Sequence, residues 1–337
     1  MPFYLIIKVF LKAKDEIFRS KKYKMINRFW LFLSFVFSLQ LYAQNSQILL
    51  ADPTIFEENG TYYLYGTKED HSIPGEGFLV YTSKNLKTWE GPLGKTDGYA
   101  LKKGDAFGTR GFWAPQVFKQ NGHYYMAYTA NENIAIASAN SPLGPFKNKG
   151  KALEATVKQI DPFVFFDDGK VYLYHVSLTA GNRIFVAEMT EDLSAIKPET
   201  LKECIAAKET WENTTNAEWP VSEGPTVFRN AETYIMLYSV NDFRNPDYSV
   251  GVATAKSPFG PWKKSASNPL ISTADIGRNG PGHGDLFKNR NTLYYVLHTH
   301  FSEEKVSPRK TAIVKLKFDK KKNVFKLKSH SFQDLKK

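Results

Sequence analysis

One cysteine, Cys204, stands in 337 residues, so no intramolecular disulfide can form. A chain this long buries enough surface to fold without cross-links, even in a compartment that permits them. No Cys/His cluster has zinc-site spacing, which excludes a structural zinc module. No glycine-rich loop follows a strand, which excludes the common phosphate-binding folds. Long amphipathic helical periodicity is missing; Glu191–Ala195 and Ala206–Ala217 have room for a helical turn at most. There is no basic helix or nucleic-acid-binding motif. No low-complexity linker divides the chain after residue 45, so 46–337 reads as one domain behind an extension at 1–45.

Long apolar runs are confined to that extension. Met25–Ala43 has a basic start at Arg28, an apolar run from Phe29 to Phe37 and a small residue at Ala43, a secretory signal pattern with cleavage after Ala43. About 15 residues is short for a membrane span, so no stable span is expected in the mature chain. Secretion or a periplasmic location follows, with Met25 as a candidate start. The extension also inflates the charge. Residues 1–43 hold eight basic and two acidic residues, so the net of +11 falls to +5 in the rest. A nucleic-acid partner is therefore not expected.

What the chain has in abundance is aromatic residues, 15%, and a repeat. Ile160–Tyr174, IDPFVFFDDGKVYLY, reads as a strand, a turn at Asp167-Asp168-Gly169 and a second strand. Related hairpins begin at Asp52, Ala114, Gly224 and His283; counting the first copy from Asp161, Phe is at the fifth position each time: Phe56, Phe118, Phe165, Phe228 and Phe287. Each is followed by a second segment of alternating residues, from Phe78, Ile134, Ile184, Val250 and Thr311. Two hairpins per repeat of roughly 40–60 residues predict an all-β, five-bladed β-propeller with four-stranded antiparallel blades.

In a propeller the first position of every repeat faces the axis. Here those positions are Asp52, Ala114, Asp161, Glu223 (just before Gly224) and His283. The scaffold repeats while the axial residues differ, which predicts one central site. Carboxylates gathered in a poorly solvated funnel must split their pKa values. Such a pair is what glycosidic bond cleavage requires. The repeated Tyr and Phe residues read as core.

The set ADP at 51–53, FWAP at 112–115, IDPF at 160–163, SEGP at 222–225 and GPGHG at 280–284 resembles glycoside hydrolase family 43, from about Leu50 to Leu327. The resemblance implies an inverting hydrolase with Asp52 as general base, Glu223 as general acid and Asp161 tuning and orienting the acid. It also implies a sugar site with Trp113 on its wall and Arg309 reaching the terminal sugar; Phe163 offers a further apolar face. His283 resembles the family histidine beneath the pocket, where a structural Ca²⁺ is held in many members, often through water. No cofactor is required for the chemistry.

Members of the family cleave arabinose-, xylose- or galactose-containing glycans, and the α-L-arabinofuranosidase or β-xylosidase type is the expectation here, on an oligosaccharide or polysaccharide substrate. The candidate specificity loops, Lys68–Gly77, Lys102–Gly111 and Thr210–Pro220, name no sugar. The alternative is a non-catalytic carbohydrate-binding propeller, but lectin propellers repeat their binding residues in every blade. A protein-interaction propeller would not need axial carboxylates. A fructan-type enzyme would need a WMNDPNG-like opening that is absent, and a phosphorylase a basic phosphate site.

Overall fold

The computed structural model describes residues 46–337; the extension and signal peptide expected over 1–45 lie outside them. Gln47–Lys336 forms one compact unit. Its strands run in five antiparallel blades. Blade 1 holds β1 (Leu50–Glu58), β2 (Thr61–Lys68), β3 (Gly77–Leu79), β4 (Tyr81–Ser83) and β5 (Tyr99–Lys102). Blade 2 holds β6 (Trp113–Gln120), β7 (His123–Ala130) and β8 (Asn133–Ala139), and blade 3 holds β9 (Gln159–Asp167), β10 (Lys170–Leu178), β11 (Asn182–Met189) and β12 (Lys202–Ile205). Blade 4 holds β13 (Ser222–Asn230), β14 (Thr233–Val240), β15 (Ser249–Ala255) and β16 (Lys263–Lys264). Blade 5 holds β17 (Gly282–Asn289), β18 (Thr292–Thr299), β19 (Lys310–Asp319), β20 (Val324–Leu327) and β21 (Gln333–Asp334). Among the described residues helix is confined to single turns, such as Thr210–Glu212 and Thr273–Ile276.

The five-bladed propeller predicted from the repeat is present, but not every blade has four regular strands. Blades 3, 4 and 5 do. In blade 1 the third strand breaks at Val80, so that β4 pairs with β2 while β3 pairs with β5. The outermost strands of blades 1 and 2 shrink to single bridges, Thr82 to Glu90 and Ser138 to Lys147. Gly91-Pro92 follows the first bridge and Gly144-Pro145 precedes the second. Proline offers no N–H to a ladder, so a strand cannot propagate through these points.

The hairpin Ile160–Tyr174 forms as read. Asp168 and Gly169 both take positive φ, 47° and 75°, the turn whose twist matches that of its strands. Five apolar clusters lie one at each junction of neighbouring blades, including the junction of blade 5 with blade 1. The repeated aromatics carry these junctions. Phe56 meets Tyr124 of blade 2 edge-on, Phe165 meets Tyr234 of blade 4, and Phe287 meets Tyr62 of blade 1. Tyr65 and Tyr174, fully buried, donate their hydroxyls to the carbonyls of Pro142 and Pro258 in the next blade. Each such ring withdraws roughly 150–250 Å² from water, and the hydroxyl bond spares it an unsatisfied polar atom. Near the two ends of the described chain, Ile48 donates to Leu335 and Thr311 donates back to Ile48, which laces the start of blade 1 to β19 and closes the ring.

Candidate active site

The inner strand of every blade is interrupted near its start. The pairing skips a residue after Ala51, Trp113, Ile160, Glu223 and Gly282. The residue next in line has positive φ each time: Asp52 at 47°, Ala114 at 45°, Asp161 at 56°, Gly224 at 57° and His283 at 38°. These are β-bulges, which re-aim a side chain and bend a strand. For a residue with a Cβ the left-handed conformation costs about 1–2 kcal/mol, so four of the five bulges hold strain.

Each bulge is pinned from the preceding blade. The N–H of Asp52 reaches His298 Nδ1 at 3.1 Å, that of Ala114 donates to Thr67 Oγ1, that of Asp161 to Thr129 Oγ1 and that of His283 to Ser239 Oγ. Thr67, Thr129, Ser239 and His298 all sit opposite the residue before the bulge. Blade 3 has Val176 there, which cannot accept. The N–H of Gly224 turns instead to the Asp161 carboxylate at 3.3 Å. The bulge ring thus ties the backbone beside Glu223 directly to Asp161.

The register agrees with the count from the repeated Phe residues. The phase equivalent of Asp52 and Asp161 in blade 4 is Gly224, and Glu223 stands one residue earlier, level with Trp113 and Ile160. Two successive positions therefore line the funnel, and Glu223 enters it from the second.

Asp52, Trp113, Asp161, Glu223, His283 and Arg309 line one cavity of about 420 Å³. Phe163 does not. It sits two residues past its bulge, opposite Tyr174, level with Thr54, Gln116, Thr226 and Asp285, and packs against the core between blades 3 and 4. Of the three candidate loops, Lys68–Gly77 contributes Lys68, Glu69 and His71 to the lining, and Lys102–Gly111 contributes nothing. Thr210–Pro220 acts through Trp219, described below. Asp242, Phe243 and Ser307 line the cavity from loops outside those three.

Asp52 lies against one guanidinium, two imidazoles and a hydroxyl. Its Oδ1 lies 3.1 Å from Arg309 Nη1, 3.3 Å from His298 Nδ1 and 3.4 Å from His283 Nδ1. Its Oδ2 accepts the Thr67 hydroxyl at 2.6 Å. Burial pushes this carboxyl up, but Arg309 first, then His283 and His298, outweigh burial and hold it well below the usual carboxylate range. Burial also keeps His298 neutral, with its pKa lowered to about 3. Arg309 is itself buried, clasped by Glu69 through Nε at 2.8 Å and Nη2 at 2.7 Å, and lies 4.4 Å above the Phe243 ring. Its guanidinium is thus engaged by Asp52 and Glu69.

Glu223 and Asp161 have the opposite setting. Glu223 accepts the Tyr248 hydroxyl at 2.7 Å and the Asn182 amide at 2.9 Å. Burial outweighs both bonds and, with repulsion from Asp52 and Asp242, lifts its pKa to about 7. Asp161 is raised too, by burial first, then by Glu223 and Asp52. Their repulsion is mutual, so the two titrate as a coupled pair. Asp161 was expected to tune Glu223 by like-charge repulsion, and the repulsion acts on Asp161 as well, adding to its burial.

A rigid frame joins the two halves. The Tyr248 ring, which holds Glu223, stacks on the His298 ring, which faces Asp52, with centroids 5.5 Å apart and planes within 8°. On the other side the Asn182 amide is oriented by Trp219, whose Nε1 donates to Asn182 Oδ1 at 2.9 Å. Trp219 is 49% exposed and Trp113 36%, so two indole faces stand open at or beside the mouth. His298, Thr67, Glu69, Tyr248, Asn182 and Trp219 were not picked out from sequence. The polar residue near the end of the second strand in four of the five blades was the available signal for Thr67 and His298.

His283 lies between the two acids, with Asp161 Oδ2 3.8 Å from its Nδ1. Ca²⁺ takes six to eight oxygens, and no group of three His, Cys, Asp or Glu poised to hold a metal occurs among the described residues. The residues around His283 do not supply an inner coordination sphere, and an ion there would have to be held through water.

A carboxylate kept ionised and a coupled pair of buried carboxyls, facing one sugar-sized cavity in a five-bladed propeller, define a hydrolase-type site. The chain belongs to glycosyl hydrolases family 43, whose model matches residues 46–323. It is 26% identical over 299 residues to the extracellular endo-α-(1→5)-L-arabinanase 2 of Bacillus subtilis, covering 79% of this chain and 60% of that protein. It is 24% identical over 256 residues to a xylosidase/arabinosidase of Butyrivibrio fibrisolvens, 73% of this chain and 48% of that one. The chain thus spans about half to three fifths of the length of these curated relatives. Among solved structures, an endo-1,4-β-xylanase from Bacteroides thetaiotaomicron superposes with a TM-score of 0.79 at 36% identity, covering 87% of this chain and 99% of that one. Among the described residues no helix is long and apolar enough to cross a membrane.

Proposed function

We infer that this chain is an inverting glycoside hydrolase acting on arabinose- or xylose-containing plant-type glycans, of the α-L-arabinofuranosidase or β-xylosidase type. The observation that carries this is three buried carboxyls around one cavity in opposite settings, Asp52 3.1 Å from Arg309 and Glu223 held by the neutral groups of Tyr248 and Asn182. Asp52 takes the proton of a water attacking the anomeric carbon, while Glu223 gives its proton to the leaving oxygen as the glycosidic C–O bond breaks. Asp161 raises the acid's pKa by repulsion and holds the backbone of Gly224 beside it. Arg309 keeps Asp52 ionised and sets its position. Trp113 offers a flat face to the C–H side of a sugar ring. The names of the arabinan- and xylan-active relatives support the substrate class. The Met25–Ala43 pattern and the extracellular arabinan-active relatives support secretion.

The test is hydrolysis of aryl arabinofuranosides, xylosides and galactosides alongside arabinan, xylan and galactan. Turnover of an arabinoside or xyloside is expected. Glu223→Gln should cost roughly 10²–10⁴-fold on natural linkages and far less on aryl glycosides, whose leaving groups need little acid help. Equal losses on both would remove Glu223 as the acid, and no turnover of any glycoside would remove the enzyme reading.

A further inference from the structure

The inner strands run from the bulges to hairpin turns on the opposite face of the ring. Arg290 follows the last residue of β17, seven residues after His283, at most about 23 Å away at 3.3 Å per residue. At that far end, between blades 4 and 5, lies a groove of about 1180 Å³. It exceeds the roughly 300–1,000 Å³ of a small-molecule site. Arg229, Lys288, Arg290, Lys315, Lys317, Lys320 and Lys328 line it, and no acidic residue does. Arg229 is engaged by Asp167 and Asp168 at 2.9 and 2.6 Å. The other six make no side-chain ion pair or hydrogen bond among the described residues. Lysines elsewhere are commonly paired, as in Lys102–Asp97, Lys119–Glu58 and Lys170–Glu188.

The imbalance belongs to the whole last blade. Residues 282–337 hold fourteen basic and five acidic residues, a net of +9, whereas 46–281 hold 23 and 27, a net of −4. Lys317 even faces Lys326 directly across β19 and β20, a like-charge pair that destabilises a sheet. Concentrated, unpaired charge in a concave groove focuses a field on an anionic ligand.

We propose that this groove binds an acidic polysaccharide, with the carboxylates of successive uronic acid residues lying on Lys288, Arg290, Lys315, Lys317, Lys320 and Lys328. Single-stranded nucleic acid is disfavoured because stacking on bases needs open ring faces, and Phe228 and Phe318 pack edge-on against each other, 5.4 Å between centroids. A membrane surface is disfavoured because the exposed large apolar side chains, such as Leu93, Phe166 and Trp219, all lie outside the groove. The choice of a glycan among polyanions rests on the catalytic reading above. The groove would hold the enzyme on pectin-rich or glucuronate-rich wall material while the funnel on the other face works on neutral chains.

The experiment measures binding of the Asp52→Asn chain to polygalacturonate and to the same polymer fully methyl-esterified, with duplex DNA and anionic phospholipid vesicles in parallel. Polygalacturonate should bind at least roughly tenfold more tightly than its ester and more tightly than DNA or vesicles, and weaken as salt rises from about 0.05 to 0.3 M. K317E/K328E should abolish that binding yet leave aryl glycoside turnover of the Asp52-intact chain unchanged. Should that variant fail to fold, K317Q/K328Q should lower the affinity by at least roughly threefold. Equal binding of the ester, undiminished binding by a folded variant, or tighter binding of DNA or vesicles would each overturn the proposal. A chain that passes these arms but hydrolyses no glycoside would sink the catalytic reading alone.

Discussion

Asp52 and Asp161 occupy the same point of blades 1 and 3. Both precede proline, both sit on a bulge with φ near 50°, and both have their N–H pinned by the preceding blade. Their acidities part nonetheless. Asp52 meets Arg309, two imidazoles and a threonine hydroxyl. Asp161 meets a second buried carboxyl, one backbone N–H and, at 3.8 Å, the His283 imidazole that it shares with Asp52. Propeller symmetry fixes where the two carboxyls stand, and what differs between blades decides their charge. That is how a repeated scaffold supplies a base and an acid from the same motif.

The harshest way to break the comparison is to neutralise its low-pKa member. Asp52→Asn should lower turnover roughly 10²–10⁴-fold with little change in KM, measured on an aryl glycoside; a loss under about tenfold would argue against a base at this position. Arg309→Met removes the cation instead. Asp52 then loses what outweighs its burial, so its pKa rises and the acidic limb of kcat/KM moves to higher pH. An unmoved limb would mean that Arg309 does not set the acidity of Asp52.

Asp161→Asn sharpens the comparison from the other side. In the parent chain activity should fall as pH rises through about 7, where the acid loses its proton. Without the repulsion from Asp161, Glu223 ionises more readily, and the alkaline limb should move to lower pH; movement upward would reverse the assignment. The smallest effect is expected from Trp219→Phe. The ring stays while the N–H that orients Asn182 goes, so kcat on natural linkages should fall a few-fold (about 1 kcal/mol or less). Activated aryl glycosides should be nearly indifferent, and an equal loss on both would mark a merely structural role.

The repeat made the fold legible, because the apolar positions of a blade must recur wherever blades pack alike. Phe56, Phe165 and Phe287 each reach a neighbouring blade, and the bulge positions could be found by counting from them. The count from Phe228 leads to Gly224, the bulge residue, and Glu223 was found as the carboxylate just before it. The groups that set acidity were less legible. Arg309 meets Asp52 across 257 residues and Glu69 across 240, and Tyr248 meets Glu223 from a loop without a repeat signature. Such pairings arise from ring closure and loop packing, which leave no periodic trace. The outer strands of blades 1 and 2 were over-read because Gly-Pro breaks weigh more at an unsupported sheet edge than in a strand held on both sides.

The measurement that tests the division of labour most directly is proton NMR of the first sugar released during hydrolysis, before mutarotation. With Asp52 as base to a water and the Asp161–Glu223 pair as acid, the first-formed sugar must carry the inverted anomeric configuration. Retained configuration, or a covalent glycosyl-enzyme trapped on Asp52, would contradict the account.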